Sequence, residues 1–243
     1  MASTYMDHSE RKAARLAGIM YLLTMVTANF GDFYVRRQLF IPGDPAQTVK
    51  KIAASSALVR AGIASDLVTI AGSVILAVAL YALLSPVKKS AALVAVFWWL
   101  LECSVAAIVT LNTSAVSLLL NGQGSFPGIS PGQLDTLAPV LVSVDRAGNR
   151  IAGVFFGLGS ILFCYLWFRS RLIPRVLAAW GILSSLLPIL AQLATIIVPG
   201  FDVPLRRARS GLPIMTFEIL LGFWLLLKGI QGREFKSAVW VDS

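Results

Sequence analysis

The chain has 243 residues, of which 57% are hydrophobic and 14% are charged, and its mean hydropathy is +0.77. Soluble proteins carry charge on about a quarter of their residues, so these values exclude an ordinary soluble domain and indicate a polytopic membrane protein. The net charge of +9 does not indicate nucleic-acid binding, because the basic residues lie mainly at the ends of apolar segments, where membrane lipids are the expected partners.

Six apolar segments are long enough to be helices that cross a bilayer, which takes about 20 residues. We therefore predict an all-α fold, a single integral membrane domain over residues 1–243 with six membrane-spanning helices. The predicted spans are 15–34, 61–84, 91–120, 151–168, 176–198 and 212–230. The first span is predicted to be retained, because no Ala-x-Ala cleavage pattern follows its apolar run.

Two short loops set the predicted orientation in the membrane. Residues 85–89 follow the second span and residues 169–175 follow the fourth, and both loops are basic and free of acidic residues. Cytoplasmic loops of membrane proteins carry an excess of Lys and Arg. We therefore predict that both termini lie in the cytoplasm.

The two longer loops on the opposite, outer side carry signals that start helices. Asp44 is followed by Pro45, and Ser130 is followed by Pro131, so each pair is an N-cap residue with proline at the first helical position. Apolar residues recur at helical spacing after both pairs. We predict two amphipathic outer-loop helices, which either cover the bundle as lids or only lengthen the loops.

Three acidic residues lie inside predicted spans, namely Asp66, Glu102 and Glu218. An ionised acid at membrane depth costs about 2.5 kcal/mol or more, so each must be paired, neutral, solvated or used in chemistry. At about 1.5 Å per residue, Asp66 and Glu218 lie shallow from the outer side and Glu102 lies near the middle. We predict one cavity that opens outward, with Glu102 at its floor and all three acids as candidate catalytic residues.

Glu102 is the deepest of these acids, and its neighbours in the sequence are aromatic. Trp98 and Trp99 lie about one turn before it on the same side of the predicted helix. Apolar surroundings favour the neutral form of a carboxyl group, so Glu102 is a candidate proton donor and the two tryptophans are candidate ligand contacts. The alternative is a neutral Glu102 that is hydrogen-bonded to another helix and does no chemistry.

Basic and amide side chains are predicted at the rim and on the wall of this cavity. The candidate ligand-binding residues among them are Arg60, Arg146, Arg150, Asn149 and Asn112. Arg60 precedes Asp66 by less than two helical turns, which makes it the nearest cation in the sequence. An ion pair of Arg60 with Asp66 that only holds helices together is the alternative to a functional Asp66.

The sequence contains few residues that bind metals or form disulfides. The single histidine is His8, and the two cysteines, Cys103 and Cys164, lie inside predicted spans. The sequence shows neither a cluster of histidines and cysteines nor a phosphate-binding glycine loop. We therefore predict no metal, no cofactor and no disulfide framework.

Five motifs are distributed over much of the chain. They are RLAGIMYLL at 15–23, VRR at 35–37, PGD at 42–44, GIASDL at 62–67 and VFFGLG at 154–159. On these motifs the chain resembles a bacterial membrane-protein family known only as a domain of unknown function. The resemblance implies a multi-helix protein of the bacterial inner membrane and carries no assigned activity. The family often has a histidine near the position of Asp145, and a role of that imidazole does not transfer to this chain.

Three functions are compatible with these residues. The leading hypothesis is a site for a lipophilic or lipid-like ligand, with metal-free acid/base catalysis of an isomerase or cyclase type if the protein is an enzyme. The alternative is a small proton-coupled transporter or exporter. A structural or sensory membrane subunit is the third hypothesis.

Overall fold

A computed structural model of the chain describes residues 8–121, 131–198 and 211–230. Every regular element in these ranges is helical, which confirms the all-α prediction. The elements are, in chain order, α1 (His8–Asn29), a π-helical turn (Phe30–Arg36), α2 (Arg37–Leu39), α3 (Pro45–Ala54), α4 (Ser56–Leu84), α5 (Lys89–Leu120), α6 (Pro131–Ser170), α7 (Arg175–Ile197) and α8 (Leu212–Leu227).

Five helical stretches are long and apolar enough to cross a membrane. They are Glu10–Leu39, Ser56–Leu84, Lys89–Leu120, Thr136–Ser170 and Arg175–Ile197. The sixth predicted span, 212–230, corresponds to α8, which is a shorter apolar helix of 16 residues. These helices are consistent with a multi-pass membrane protein, and the count of six spans stays a prediction.

The first helical stretch continues beyond its predicted end at Tyr34. α1 passes into the π-helical turn over Phe30–Arg36, and α2 extends the same stretch to Leu39. A π-helix bonds each N–H to the carbonyl five residues earlier, so its turn is wider than an α-helical one and its side chains point in different directions. Within this turn, Arg36 Nη1 donates a hydrogen bond to Asp32 Oδ1 at 2.7 Å.

The helix that the sequence predicts after Asp44 is present as α3. Asp44 Oδ1 accepts a hydrogen bond from the Gln47 N–H at 2.9 Å, and Pro45 stands at the first helical position. Thr48 Oγ1 accepts a hydrogen bond from the Ile41 N–H at 2.9 Å, which ties α3 to the chain that precedes it. α3 packs mainly against α6.

The second predicted loop helix and the fourth predicted span form one continuous helix, which corrects the prediction of two separate segments. α6 runs for 40 residues, Pro131–Ser170. After Pro139 no proline interrupts it, and its buried residues keep helical spacing. Asp145 and Asn149 make hydrogen bonds inside the bundle, so these polar residues do not end the helix.

Six helices form a closed ring in the order α1, α4, α5, α6, α7 and α8, with α8 packed against α1. Each helix packs on the helix before it and the helix after it in this order. Neighbours along the ring run antiparallel, as in other helical bundles with short connections. The ring therefore has an interior that side chains from several helices reach.

Two apolar clusters lie at opposite ends of the bundle. The larger lies at the end where α1 begins, and its bulkiest members include Leu80, Phe163, Trp167 and Leu221. The smaller lies beneath α3 and consists of Val35, Leu39, Ile52, Val59, Val116 and Val142. Polar side chains of the π-helical turn, α4, α5 and α6 lie at the level between the two clusters.

Candidate functional site

A cavity of about 130 Å³ lies between the two apolar clusters. Its polar lining residues are Asp32, Arg36, Asp66, Thr69, Ser73, Glu102, Thr110 and Asn149. Its apolar lining residues are Ala28, Ile70, Ala106 and Val109. Two of the three acids that the sequence singles out, Asp66 and Glu102, therefore share one cavity.

Arg36 makes two ion pairs at the wall of this cavity. Its Nη1 lies 2.7 Å from Asp32 Oδ1 on the same turn, and its Nη2 lies 2.8 Å from Asp66 Oδ2 on α4. The Arg36 and Asp66 side chains are only 29% and 16% exposed, so their pair is largely removed from solvent. The charge of Asp66 is thus compensated by a cation, as is usual for an acid within an apolar bundle.

The approach of the π-helical turn to α4 depends on the glycine at position 31. A Cβ atom added to Gly31 would lie 3.3 Å from both Arg36 Nη1 and Asp66 Oδ1. Such distances are tighter than most contacts of real Cβ atoms, so one of the two charged groups would have to shift. Gly31 therefore leaves the room in which the Arg36–Asp66 pair forms.

The cation that pairs with Asp66 differs from the predicted one. Arg60 is exposed on α4, whereas Arg36 comes from 30 positions before Asp66 in the chain. The predicted first span ends at Tyr34 and so leaves Arg36 in a loop. For this reason Arg36 is not predicted as the partner of Asp66 from the sequence alone. Asp32 and Arg36 are oppositely charged and four positions apart, a spacing that favours continuation of the helix.

Glu102 lines the same cavity from α5 and is half-buried. Its Oε2 accepts a hydrogen bond from Cys103 Sγ at 3.4 Å. Within residues 8–121, 131–198 and 211–230, no Lys or Arg forms an ion pair with this carboxylate. Glu102 is therefore an acid of the cavity without a charge partner in that part of the chain.

Glu218 lies on α8 and is not among the residues that line the cavity in the described ranges. It is within electrostatic range of Glu102 and of Tyr21, which is buried on α1. Its neighbours Phe217 and Leu221 belong to the larger apolar cluster. The three acids are therefore arranged as two in one cavity and a third beside the apolar end of the ring.

Asp145 is a further acid of the bundle, and it is more deeply buried than Asp66, Glu102 and Glu218, with 2% exposure. Its Oδ1 accepts a hydrogen bond from Asn112 Nδ2 at 2.6 Å, and its Oδ2 accepts one from Thr113 Oγ1 at 2.8 Å. The structure thus places the predicted ligand contact Asn112 against Asp145. The burial of Asp145 is indicated by its spacing from apolar residues: it follows the buried Val142 by three positions, on the same face of the helix.

The two tryptophans before Glu102 contact α6. Trp99 is 3% exposed, and its Nε1 lies 3.2 Å from both Phe156 O and Ser160 Oγ, to which it donates. Trp98 stacks on Phe155 with 5.6 Å between the ring centroids. Neither tryptophan is among the cavity-lining residues of the described chain.

The remaining predicted binding residues have different surroundings. Asn149 lines the cavity, and its Nδ2 donates to Asp145 O at 2.9 Å. Arg146 Nη2 donates to Ile41 O at 2.9 Å, so it joins α6 to the segment before α3. Arg150 is half-buried and does not line the cavity among the residues that the structure describes.

The chemistry available to the cavity follows from these side chains. Thr69, Ser73 and Thr110 offer hydroxyl groups, and Glu102 offers a carboxyl group that can gain or lose a proton. No group of three or more His, Cys, Asp or Glu residues suited to a metal occurs in the described residues. The arrangement suits hydrogen bonding and proton exchange with a polar group.

One comparison with known proteins gives a match, and the matched range contains the whole of this site. A family model described as "Domain of unknown function (DUF4386)" matches residues 16–229. No curated protein and no solved structure matches the chain. The matched range includes every residue that lines the cavity. It also includes four of the five long apolar stretches in full and the first one except for residues 10–15.

Proposed function

The chain belongs to the family described as a domain of unknown function (DUF4386), and we propose that it is a membrane protein that binds a lipophilic molecule by its polar head. The head group occupies the cavity between the two apolar clusters. The observation that carries this proposal is the carboxyl group of Glu102, which has no cationic partner among the described residues and lies in a cavity lined also by ion-paired, amide, hydroxyl and apolar side chains.

The lining of the cavity supports an amphiphilic ligand. Polar groups of α4 and α5 share its wall with the apolar side chains of Ile70, Ala106 and Val109. A volume of about 130 Å³ is close to that of an engineered cavity of about 150 Å³ that holds benzene. The cavity therefore has room for a head group of a few non-hydrogen atoms, and the remainder of the ligand lies in the bilayer.

Glu102 gives the site a means of proton transfer. In an isomerase or cyclase reaction it would donate a proton to the bound head group, and a second carboxylate would accept one. Asp66 is better placed for that second role than Glu218, because it lines the same cavity. Release of Asp66 from Arg36 is the condition for such chemistry, since a paired carboxylate is a weak base.

The orientation belongs to the same proposal. With both termini in the cytoplasm of a bacterial cell, as the basic loops 85–89 and 169–175 indicate, the end that carries α3 faces outward across the inner membrane. With α8 as the sixth span, the chain then crosses the bilayer six times. A ligand would reach the cavity from the outer half of the bilayer.

Glu102→Gln is expected to weaken probe binding about tenfold. The N–H group of the probe donates a hydrogen bond to the ionised form of Glu102, and hydrogen bonds to charged groups are stronger than those to a neutral amide by about that amount. The probe is the lipophilic amine N-phenyl-1-naphthylamine, titrated by fluorescence against the purified protein in lipid nanodiscs. An unchanged affinity in a correctly folded Glu102→Gln protein would refute the site.

Ser104→Ala is the matched control for this titration. Ser104 lies on the same helix, is exposed and bonds only along its own helix to Leu100 O. Its replacement is expected to leave the affinity unchanged. An equal loss in both variants would show that the probe reports on the bilayer or on protein stability and not on the cavity.

A second candidate function is proton-coupled transport. The observation that favours it is that Glu218 lies within electrostatic range of both Glu102, which lines the cavity, and Tyr21, which belongs to the larger apolar cluster. Proteoliposomes with an enclosed pH indicator are expected to acidify faster than protein-free vesicles when a potential is applied. Glu218→Gln is expected to remove the excess rate, and equal rates with and without protein would reject transport.

A further inference from the structure

Arg36 interacts electrostatically with carboxylates of two different helices. It is bonded to Asp66 of α4 at 2.8 Å, and Asp145 of α6 is within electrostatic range of it. The two oxygens of Asp145 accept hydrogen bonds from neutral donors, Asn112 and Thr113. Because a guanidinium group binds a carboxylate more strongly than a neutral donor does, Arg36 would compete with Asn112 and Thr113 for the oxygens of Asp145 if it came within hydrogen-bond distance.

A small chamber borders Arg36, Asp66 and Thr113, and its volume of about 20 Å³ is enough for one water molecule. Thr113 Oγ1 in turn donates a hydrogen bond to Asp145 Oδ2 at 2.8 Å. A residue that borders the same chamber as Arg36 therefore contacts Asp145. A guanidinium group is larger than one water molecule, and its passage therefore requires movement of the backbone that carries it.

The π-helical turn is the segment that can supply this movement. Single π-helical turns inside α-helices are frequent at functional sites, since their hydrogen bonding can change locally without unfolding the helix. Arg36 is the last residue of this turn, and Asp32 lies on the same turn. The Asp32 side chain is 64% exposed, so it can follow Arg36 and keep its ion pair when the turn moves.

We propose that Arg36 is a switch residue, which exchanges Asp66 for Asp145 while the π-helical turn moves toward α6. In the state described above, Arg36 compensates Asp66, and Glu102 remains unpaired in the cavity. In the second state Asp66, which already lines the cavity, has lost Arg36, and hydrogen-bond donors of a bound ligand stabilise it. Ligand binding thereby shifts the population of the two states.

The link to a ligand rests on the proposed function, whereas the movement itself does not. The movement depends only on Arg36, the two carboxylates and the π-helical turn. It is therefore measurable in the protein without any ligand. A failure of probe binding and a failure of the switch would be separate results.

Distances between two spin labels test the movement. The labels are attached through Tyr34→Cys on the π-helical turn and Val144→Cys on α6, at side chains that are 55% and 50% exposed. Cys103 and Cys164 are buried, and the protein without added cysteines gives the background labelling. Asp66→Asn removes the first acceptor of Arg36. The parent is expected to give a single distance between the two labels, and Asp66→Asn is expected to shift most of the population to a shorter distance.

Two further variants make the result specific. Asp66→Asn combined with Asp145→Asn removes both acceptors and is expected to abolish the shorter distance. Asp32→Asn leaves both acceptors in place and is expected to keep the parent distance. An unchanged distance in Asp66→Asn overturns the switch and leaves Arg36 as a fixed clamp, and a shift that persists in the double variant overturns it as well.

Gly31→Ala keeps the proposal falsifiable if Asp66→Asn does not fold. The added Cβ would lie 3.3 Å from both Arg36 Nη1 and Asp66 Oδ1, so it weakens their pair without removing a charge. The switch predicts the same shorter distance in this variant, with its loss when Asp145→Asn is added. A parent-like distance in a folded Gly31→Ala protein would contradict it.

Discussion

Arg36→Gln is expected to lower the free energy of unfolding by about 2 to 4 kcal/mol. Removal of one partner from a fully buried ion pair costs about 3 to 5 kcal/mol, because the other charge stays buried without compensation. The expected loss of stability is smaller here because the Arg36 and Asp66 side chains are not fully buried and remain 29% and 16% exposed. In detergent, the midpoint of thermal unfolding is expected to fall by about 5 to 15 °C.

Two variants separate the loss of the ion pair from other effects of the substitution. Asp66→Asn added to Arg36→Gln is expected to recover at least half of the lost stability, since no uncompensated charge remains. Arg37→Gln removes the next cation, which is exposed and lies 4.9 Å from the centroid of the Phe33 ring. The midpoint of thermal unfolding of Arg37→Gln is expected to stay near that of the parent. If Arg37→Gln lowered the midpoint as much as Arg36→Gln does, the loss of stability would be due to the change in net charge.

Asp145→Ala is expected to cost about 2 to 4 kcal/mol of unfolding free energy. The substitution removes the acceptor of two hydrogen bonds, from Asn112 Nδ2 at 2.6 Å and Thr113 Oγ1 at 2.8 Å. A buried donor that loses its acceptor costs about 1 to 3 kcal/mol, and hydrogen bonds to charged groups lie at the upper end. Titration with sodium dodecyl sulfate, followed by circular dichroism, measures the loss.

Asp145→Asn is the conservative companion of this variant. It keeps one oxygen acceptor at nearly the same place, so we expect it to lose less than half as much stability as Asp145→Ala. Val144→Ala changes an exposed neighbour on the same helix and is expected to have little effect. If Asp145→Ala were as stable as Val144→Ala, the buried hydrogen bonds would not contribute to the fold.

Four acids, Asp66, Asp145, Glu102 and Glu218, differ in how their charges are compensated. Asp66 has the Arg36 guanidinium, and Asp145 has two neutral donors. Among the described residues, Glu102 has the weak donor Cys103 Sγ and no cation, and Glu218 lies beside the apolar cluster. This difference, and not the presence of acids as such, is what makes Glu102 the residue with the strongest case for proton chemistry.

Local signals in the sequence predicted local structure well. The N-cap at Asp44 and the proline after it correctly place the start of α3. Long apolar runs place α4, α5 and α7 within a few residues of their predicted ends, apart from the start of α4 at Ser56. These features depend on hydrogen bonds and hydrophobicity within one short stretch of chain, so the sequence contains the information directly.

Two errors came from stopping a helix too early. The first span was predicted to end at Tyr34, and the segment after Pro131 was predicted to be separate from the fourth span. In both places the predicted span leaves out a charged residue, namely Arg36 in the first case and Asp145 in the second. Arg36 pairs with Asp66 on α4, and Asp145 accepts hydrogen bonds from α5, so both residues have partners that are distant in sequence.

The sequence by itself determined an apolar, all-helical chain, the approximate limits of most of its helices, and the acids whose burial needs an explanation. Only the tertiary structure decided which acids meet, that Arg36 rather than Arg60 compensates Asp66, and that Asn112 and Thr113 hold Asp145. The physical reason is that helix formation depends on contacts a few residues apart, whereas compensation of a buried charge depends on side chains that approach only when the ring closes.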